Sequence, residues 1–153
     1  MRLWRIVKAK YARDALDAEG ARRYGGRWNE RGIPVVYLSE TLSLAILEIF
    51  VHLGASDSRI PYSAIPVDVP EGISIDVLPD DQLPPNWKIE PPPRETKRIG
   101  TAWAKSNSAL LLSVPSVIVA TERNFLVNPN HSDFARLLVG RPIPFGFDGR
   151  MWK

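Results

Sequence analysis

The 153 residues of this chain fit one domain, and 44% hydrophobic with 24% charged residues is typical of a soluble globular protein. The absence of cysteine excludes disulfides, thiol nucleophiles and thiolate metal sites, and two histidines argue against a histidine-rich metal centre. The net charge of +3 does not by itself indicate nucleic-acid binding. No secretory signal or membrane-spanning apolar run is present, so a cytoplasmic protein is expected.

The first quarter of the chain predicts two strands joined by a glycine-containing loop. Residues 1–7 alternate in a β-prone pattern, with Leu3, Arg5 and Val7 on one face. Residues 11–20 have room for one helical turn, but the Ala-Glu-Gly-Ala run at 18–21 predicts a break. The doubled glycine at 25 and 26 is either an ordinary turn or a close approach to a ligand. A second strand is predicted over 33–39.

A helix is predicted over 41–53, because apolar residues recur there at helical spacing on most of its circumference. Ser39 or Thr41 is the expected N-cap. Glu48 is the exception within this helix, because a carboxylate among apolar neighbours is costly to bury without partners. It therefore either points to a wetted edge beside His52 or lines a cleft as a functional group.

The rest of the chain mixes strands and helices without regular alternation. Strands are predicted over 62–69, 73–77, 117–120, 125–127 and 143–147, and helices over 94–106 and 134–139. The proline-rich stretch 78–93 is interpreted as a surface connection. Within the helix predicted over 94–106, Gly100 lowers helix stability by roughly 1 kcal/mol relative to Ala. This order predicts an α+β domain over 1–153, with a compact mixed sheet core and flanking helices.

Conventional catalytic and nucleotide-binding signatures are missing. There is no Walker-type loop, no dinucleotide glycine fingerprint, and no nucleophile elbow to support a triad of Ser116, His131 and Asp133. What remains is a set of Arg, Tyr, Glu and Ser side chains. Such a set suits a pyrophosphate-linked ribose: Arg binds phosphate, an aromatic ring stacks, and a carboxylate stabilises an oxocarbenium-like transition state. Chemistry alone does not separate an enzyme from a nucleotide-binding module here.

Three segments together resemble the RES-domain family, the toxin halves of bacterial Xre–RES toxin–antitoxin pairs. They are GARRYGGRWNERGIPVVYLSETLSLAILEIFVHL, LLLSVPSVIVATERNFLVNPNHSDF and PFGFDGRMW, in order over nearly the whole chain. The resemblance implies an ADP-ribosyltransferase-toxin-like fold with NAD as substrate rather than cofactor. No metal is expected, given the lack of cysteine and the two histidines. It also implies a separate Xre-type helix-turn-helix antitoxin that covers the active site as a hetero-oligomer.

The family is named after an arginine, a glutamate and a serine, which match Arg27, Glu48 and Ser116. By that resemblance Arg27 would hold phosphate as part of the catalytic set, and Glu48 would be the catalytic carboxylate. Tyr37 would stack on the nicotinamide side of NAD, as part of the catalytic set, and Ser116 would hydrogen-bond within the site.

Three further residues are substrate-binding candidates on weaker grounds. Asn128 lies in the LVNP motif, and Trp28 and Ser39 adjoin matched positions, where they either bind substrate or simply pack and cap. The resulting expectation is a toxin that cleaves the nicotinamide–ribose bond of NAD and arrests growth, without contacting nucleic acid or membrane itself. A non-catalytic nucleotide-binding module and an RNA-cleaving toxin are the alternatives.

Overall fold

The computed structural model describes all residues from 1 to 153 and has one mixed β-sheet as its centre. The eight strands are β1 (Arg2–Lys8), β2 (Val36–Ser39), β3 (Tyr62–Asp68), β4 (Ile75–Val77), β5 (Leu111–Pro115), β6 (Arg123–Val127), β7 (Leu138–Val139) and β8 (Ile143–Phe145). Their order is β4-β5-β6-β2-β1-β3-β7, and β8 also pairs with β3. Only β4 and β5 run parallel; all other neighbours are antiparallel.

Three α-helices accompany the sheet: α1 (Glu19–Tyr24), α2 (Leu42–Phe50) and α3 (Arg94–Ser106). Helix α2 starts where the sequence predicts, because the Thr41 hydroxyl accepts a hydrogen bond from the backbone N–H of Leu44 at 3.0 Å. None of the helices is long and apolar enough to cross a membrane.

The two faces of the sheet are buried in different ways. One face carries the largest apolar cluster, which includes Leu38, Ile65 and Val127. The opposite face carries two smaller clusters, one with Trp103 of α3 and the other with Ala45 of α2. The predicted α+β class, with a mixed sheet core and flanking helices, is confirmed.

The central strands β1 and β2 are joined by a single pair, Trp4 with Ser39. Beyond that pair the strands part, and the guanidinium of Arg5 donates to the carbonyl of Tyr37 at 2.9 Å. A side chain thus satisfies a strand carbonyl that a neighbouring backbone would otherwise satisfy. The gap matters because the two residues at its edges, Arg5 and Tyr37, both line the cavity described below.

Two expected elements in the second half of the chain are wrong. The segment 117–120 is not a strand, because the hydroxyl of Ser116 accepts the backbone N–H groups of Ile118 and Val119 and folds the chain into a turn. The strand of this region is β5, just before it. The segment 134–139 holds a short 3-10 turn, Phe134–Arg136, followed by β7, rather than one helix.

The predicted break at 18–21 is also wrong, since α1 starts within it. Ala18 adopts a left-handed conformation with φ of 60°, and the Asp17 carboxylate accepts the backbone N–H of Glu19. The sequence lacks the usual signal for the start of a helix here, because the N-cap residue is Ala18 rather than a polar residue.

Candidate active site

A cavity of about 880 Å³ lies on the face of the sheet where β1 and β2 part. Its walls come from the loop after α1, helix α2, the turn after β5 and the segment around Lys88–Pro92. A smaller hollow of about 210 Å³ adjoins it and shares Arg5, Tyr37, Glu48, His52 and Asn124. The volume is within the range of small-molecule and cofactor sites.

Glu48 presents its carboxylate to this cavity from α2. One oxygen, Oε1, accepts a hydrogen bond from the Ser116 hydroxyl at 2.7 Å and another from the Asn124 amide at 2.6 Å. The other oxygen, Oε2, has no hydrogen-bond partner within the protein. The carboxylate is therefore held in place by one oxygen and available through the other.

Ser116 touches Glu48 from the buried side and is itself fully buried. Its hydroxyl donates to Glu48 and accepts the N–H groups of Ile118 and Val119, each at 3.0 Å. All of its hydrogen-bonding capacity is used in this way. Ser116 thus supports the carboxylate rather than facing the cavity.

Tyr37 lines the cavity, and its hydroxyl anchors the loop after α1. That hydroxyl donates to the Asn29 side chain at 2.6 Å and accepts the backbone N–H of Trp28 at 3.1 Å. Burial raises the pKa of Tyr37, so the hydroxyl stays protonated at physiological pH. The backbone of Gly26 lies so close to Tyr37 that a Cβ at position 26 would be 2.6 Å from the Tyr37 hydroxyl oxygen.

Arg27 lines the same cavity but is held by the proline-rich segment. Its guanidinium donates to the carbonyls of Trp87 and Ile89 and forms an ion pair with Glu90 at 2.7 Å. The side chain of Arg27 is 15% exposed and that of Glu90 is 69% exposed. The proline-rich stretch is therefore a wall of the site, not only a surface connection.

A family model described as "RES domain" matches residues 2–148. The chain is a member of the RES domain family. The resemblance drawn from the three sequence segments is thereby confirmed.

Relatives of this RES domain carry names that describe toxins. It is 40% identical over 152 residues to "Toxin Res" of Yersinia enterocolitica serotype O:8 / biotype 1B, with 99% of both chains covered. It is 37% identical over 152 residues to "Prs ADP-ribosylating toxin" of Sphingobium sp. strain YBL2, with 97% and 94% covered.

A third relative is "NAD(+) phosphorylase MbcT" of Mycobacterium tuberculosis, 47% identical over 38 residues, which are 24% of this chain and 20% of that protein. The crystal structure of the M. tuberculosis MbcT-MbcA toxin-antitoxin complex has the same fold, with a TM-score of 0.74 and 21% identity. That match covers 99% of this chain and 86% of the other.

The RES domain brings most of the predicted site residues together. Arg27, Trp28, Tyr37 and Glu48 line the larger cavity, and Ser39 lines the smaller hollow. Trp28 is 3% exposed and packs near Trp87, with ring centroids 6.4 Å apart, so it is mainly a core residue.

Asn128 lies apart from the cavity. Its amide donates to the carbonyl of Ala104 and to the side chain of Asn107, and its oxygen accepts the N–H of Asn130. These contacts join the end of β6 to the end of α3 and give Asn128 a structural role.

Arg5 and Asn124 line the cavity next to Glu48 and are not among the candidates that the sequence predicts. Arg5 has a buried Nε without a hydrogen-bond partner, and burial lowers its pKa. The sequence does carry a signal for Arg5, because it shares a strand face with the apolar residues Leu3 and Val7. Burying a cation on such a face is costly unless it has a partner or a function. Asn124 lies just before the strand predicted over 125–127, and the sequence carries no such signal for it.

Proposed function

We propose that this RES domain is the toxin of a toxin–antitoxin pair and that it consumes NAD by breaking the bond between nicotinamide and ribose. The observation that carries the proposal is the Glu48 carboxylate, fixed through Oε1 and open through Oε2 to a cavity rimmed by Tyr37, Arg5 and Arg27. The names of the Sphingobium and Mycobacterium relatives support an ADP-ribosyl chemistry.

The chemistry needs a fixed negative charge more than it needs an acid. When the C1′–N bond breaks, its electron pair leaves with the nicotinamide ring, which becomes neutral, and positive charge develops on the ribose. A carboxylate held beside that carbon stabilises the oxocarbenium-like transition state more than the ground state. Water, phosphate or a protein group then attacks the carbon, releasing a proton if the nucleophile carries one.

The other cavity residues suit the rest of NAD. The ring of Tyr37 offers an aromatic surface for nicotinamide, and its protonated hydroxyl adds no negative charge to compete with Glu48. Arg5 and Arg27 offer guanidinium groups for the pyrophosphate, to which Arg can donate bidentately. For Arg27 this requires that the phosphate replace the carboxylate of Glu90.

Exposed apolar residues at the rim of the cavity favour a protein partner that binds there. Tyr24 is 71%, Val51 56% and Ile118 37% exposed, and all three line the cavity. Exposed apolar residues around a site are typical of a surface that another protein covers. We infer that the antitoxin, of the Xre helix-turn-helix type, binds here and blocks access of NAD, and that the toxin itself does not bind nucleic acid.

Incubation of the purified chain with NAD, followed by measurement of free nicotinamide, tests the activity. Glu48→Gln should lower kcat by about 100-fold or more, because it removes the charge that stabilises the transition state. Glu95→Gln, the same change at an exposed position of α3, is the matched control and should leave kcat unchanged. Mass spectrometry of products with and without phosphate and cell extract identifies the acceptor of ADP-ribose.

Two results would contradict the proposal. Binding of NAD without turnover, unaffected by Glu48→Gln, would make the domain a nucleotide-binding module. Full nicotinamide release by the toxin within an intact antitoxin complex would show that the partner does not cover the cavity.

A further inference from the structure

We propose that Asn124 is a positioning residue, which sets the orientation of the Glu48 carboxylate for the NAD cleavage described above; the inference rests on that proposed function. Asn124 of β6 lies 76 positions from Glu48 in the chain, and its amide Nδ2 is 2.6 Å from Glu48 Oε1. No charged residue of the cavity contacts Glu48 at hydrogen-bond distance.

The direction of this hydrogen bond is fixed by chemistry. An ionised carboxylate can only accept, so the Asn124 atom that faces it has to be the amide nitrogen. The amide oxygen then points the other way and accepts the Ser39 hydroxyl at 2.7 Å. The Ser39–Asn124–Glu48 chain therefore has one consistent assignment of donors and acceptors.

Asn124 is anchored independently of any substrate. In the sheet it is the register partner of Ser39 on β2 and of Val114 on β5. Ser39 is 5% exposed, so the bond at the far end of the amide is shielded from water. The side chain that holds Glu48 is thus built into three adjacent strands, and the carboxylate does not need substrate to become oriented.

The identity of the donor has a chemical consequence. Asn124 and Ser116 both bond to Oε1 and both are neutral, so they orient the carboxylate without cancelling its charge. A Lys or Arg in the place of Asn124 would hold the group equally well but would neutralise it. Orientation by neutral donors leaves the carboxylate with its full negative charge, and its unbonded Oε2 faces the cavity where positive charge develops in the transition state.

Asn124→Ala tests the positioning role by separating kcat from KM. Losing a hydrogen bond to a charged group should lower kcat by about 10- to 100-fold, with KM for NAD changed by less than about twofold. Thr96→Val is the control, since it removes one fully buried hydrogen bond, from the Thr96 hydroxyl to the Pro93 carbonyl, away from the cavity. It should lower the melting temperature and leave kcat unchanged.

Asn124→Asp gives a second measurement, the pH dependence of activity, which a purely structural role of Asn124 would leave unchanged. The variant has nearly the same shape but places a second carboxyl group against Glu48, and the two would share one proton. While that proton is present the Asp can donate to Glu48 as Asn does, and when it leaves two negative charges repel. The activity of N124D relative to wild type should therefore fall as pH rises.

The other titratable groups facing this cavity are Arg5, Tyr24, Arg27, Tyr37, His52, Lys88 and Glu90. They are present in both proteins, so the ratio of activities isolates the new pair. Wild-type kcat in N124A, or a pH-independent ratio for N124D, would overturn the positioning role. If the wild-type protein releases no nicotinamide, the proposed function itself fails. If the wild type is active and substitution of Asn124 leaves kcat unchanged, only the positioning role fails.

Discussion

Replacing Gly100 with Ala should destabilise this RES domain, although Gly100 lies inside helix α3. Sequence reasoning predicts the reverse, because Ala is favoured over Gly within a helix by about 1 kcal/mol. In the structure, a Cβ at position 100 would lie 2.8 Å from the carbonyl carbon of Trp28 and closer still to its oxygen. Real Cβ atoms do not come this close to backbone atoms, so α3 or the Trp28 segment has to move.

The magnitude follows from two opposing effects. Overpacking typically costs about 1–3 kcal/mol, and a clash with backbone belongs at the upper end or beyond. After subtraction of the gain in helix propensity, about 2 kcal/mol or more of net destabilisation remains. For a domain of this size that corresponds to a fall in Tm of roughly 4–8 °C.

Thermal unfolding followed by calorimetry measures this difference. Gly20→Ala is the matched control, because Gly20 is in helix α1 and a Cβ there meets nothing within 4 Å. That variant should be unchanged or stabilised by up to about 1 kcal/mol. The backbone N–H of Trp28 donates to the Tyr37 hydroxyl, and Trp28 adjoins Arg27. Because a shift of Trp28 would displace both cavity residues, G100A should also lose NAD turnover. A G100A protein as stable as wild type would refute the close packing of α3 on Trp28.

Two further predictions concern charges. Glu90→Gln should lower KM for NAD by about two- to fivefold at low salt with kcat unchanged, because it removes the exposed carboxylate that competes with phosphate for the mostly buried Arg27. A raised KM would instead make Glu90 a substrate ligand. The pKa of Glu19 is lowered to about 2 from 4.5 by hydrogen bonds from Arg22 and then Arg23. A lowered folded-state pKa means stability that is present above about pH 4.5 and lost as pH falls toward 2. The difference in Tm between wild type and Glu19→Gln should therefore be full near neutral pH and vanish near pH 2, and a difference independent of pH would contradict the ion pairs.

Local patterns were reliable where one signal dominated. The apolar period and the Thr41 cap predicted α2, and the alternation at the N-terminus predicted β1 within one residue at each end. Prediction failed where a side chain redirected the backbone. Ser116 turns the apolar run 117–120 away from the sheet by accepting two backbone N–H groups, and nothing in the composition of that run reports this.

The candidate site was predictable in its members more than in its arrangement. Glu48 was conspicuous as a lone carboxylate in an apolar helix, and the family resemblance supplied Arg27, Tyr37 and Ser116. The contacts among them were not predictable, since Glu48 and Ser116 are 68 positions apart and meet at 2.7 Å only when α2 packs on the sheet. The ion pair of Arg27 with Glu90 spans 63 positions and was equally hidden.

The sequence by itself therefore determined the class of fold, the family, the helix that carries the carboxylate and the kind of chemistry that its residues permit. These properties depend on short-range periodicity, on capping and on residue types, which a linear chain displays directly. Only the tertiary structure decided that β1 and β2 part around Arg5, that Asn124 orients Glu48, and that the proline-rich segment closes the cavity through Arg27. Those features depend on which distant segments meet, and long-range packing is a property of the whole chain rather than of any window within it.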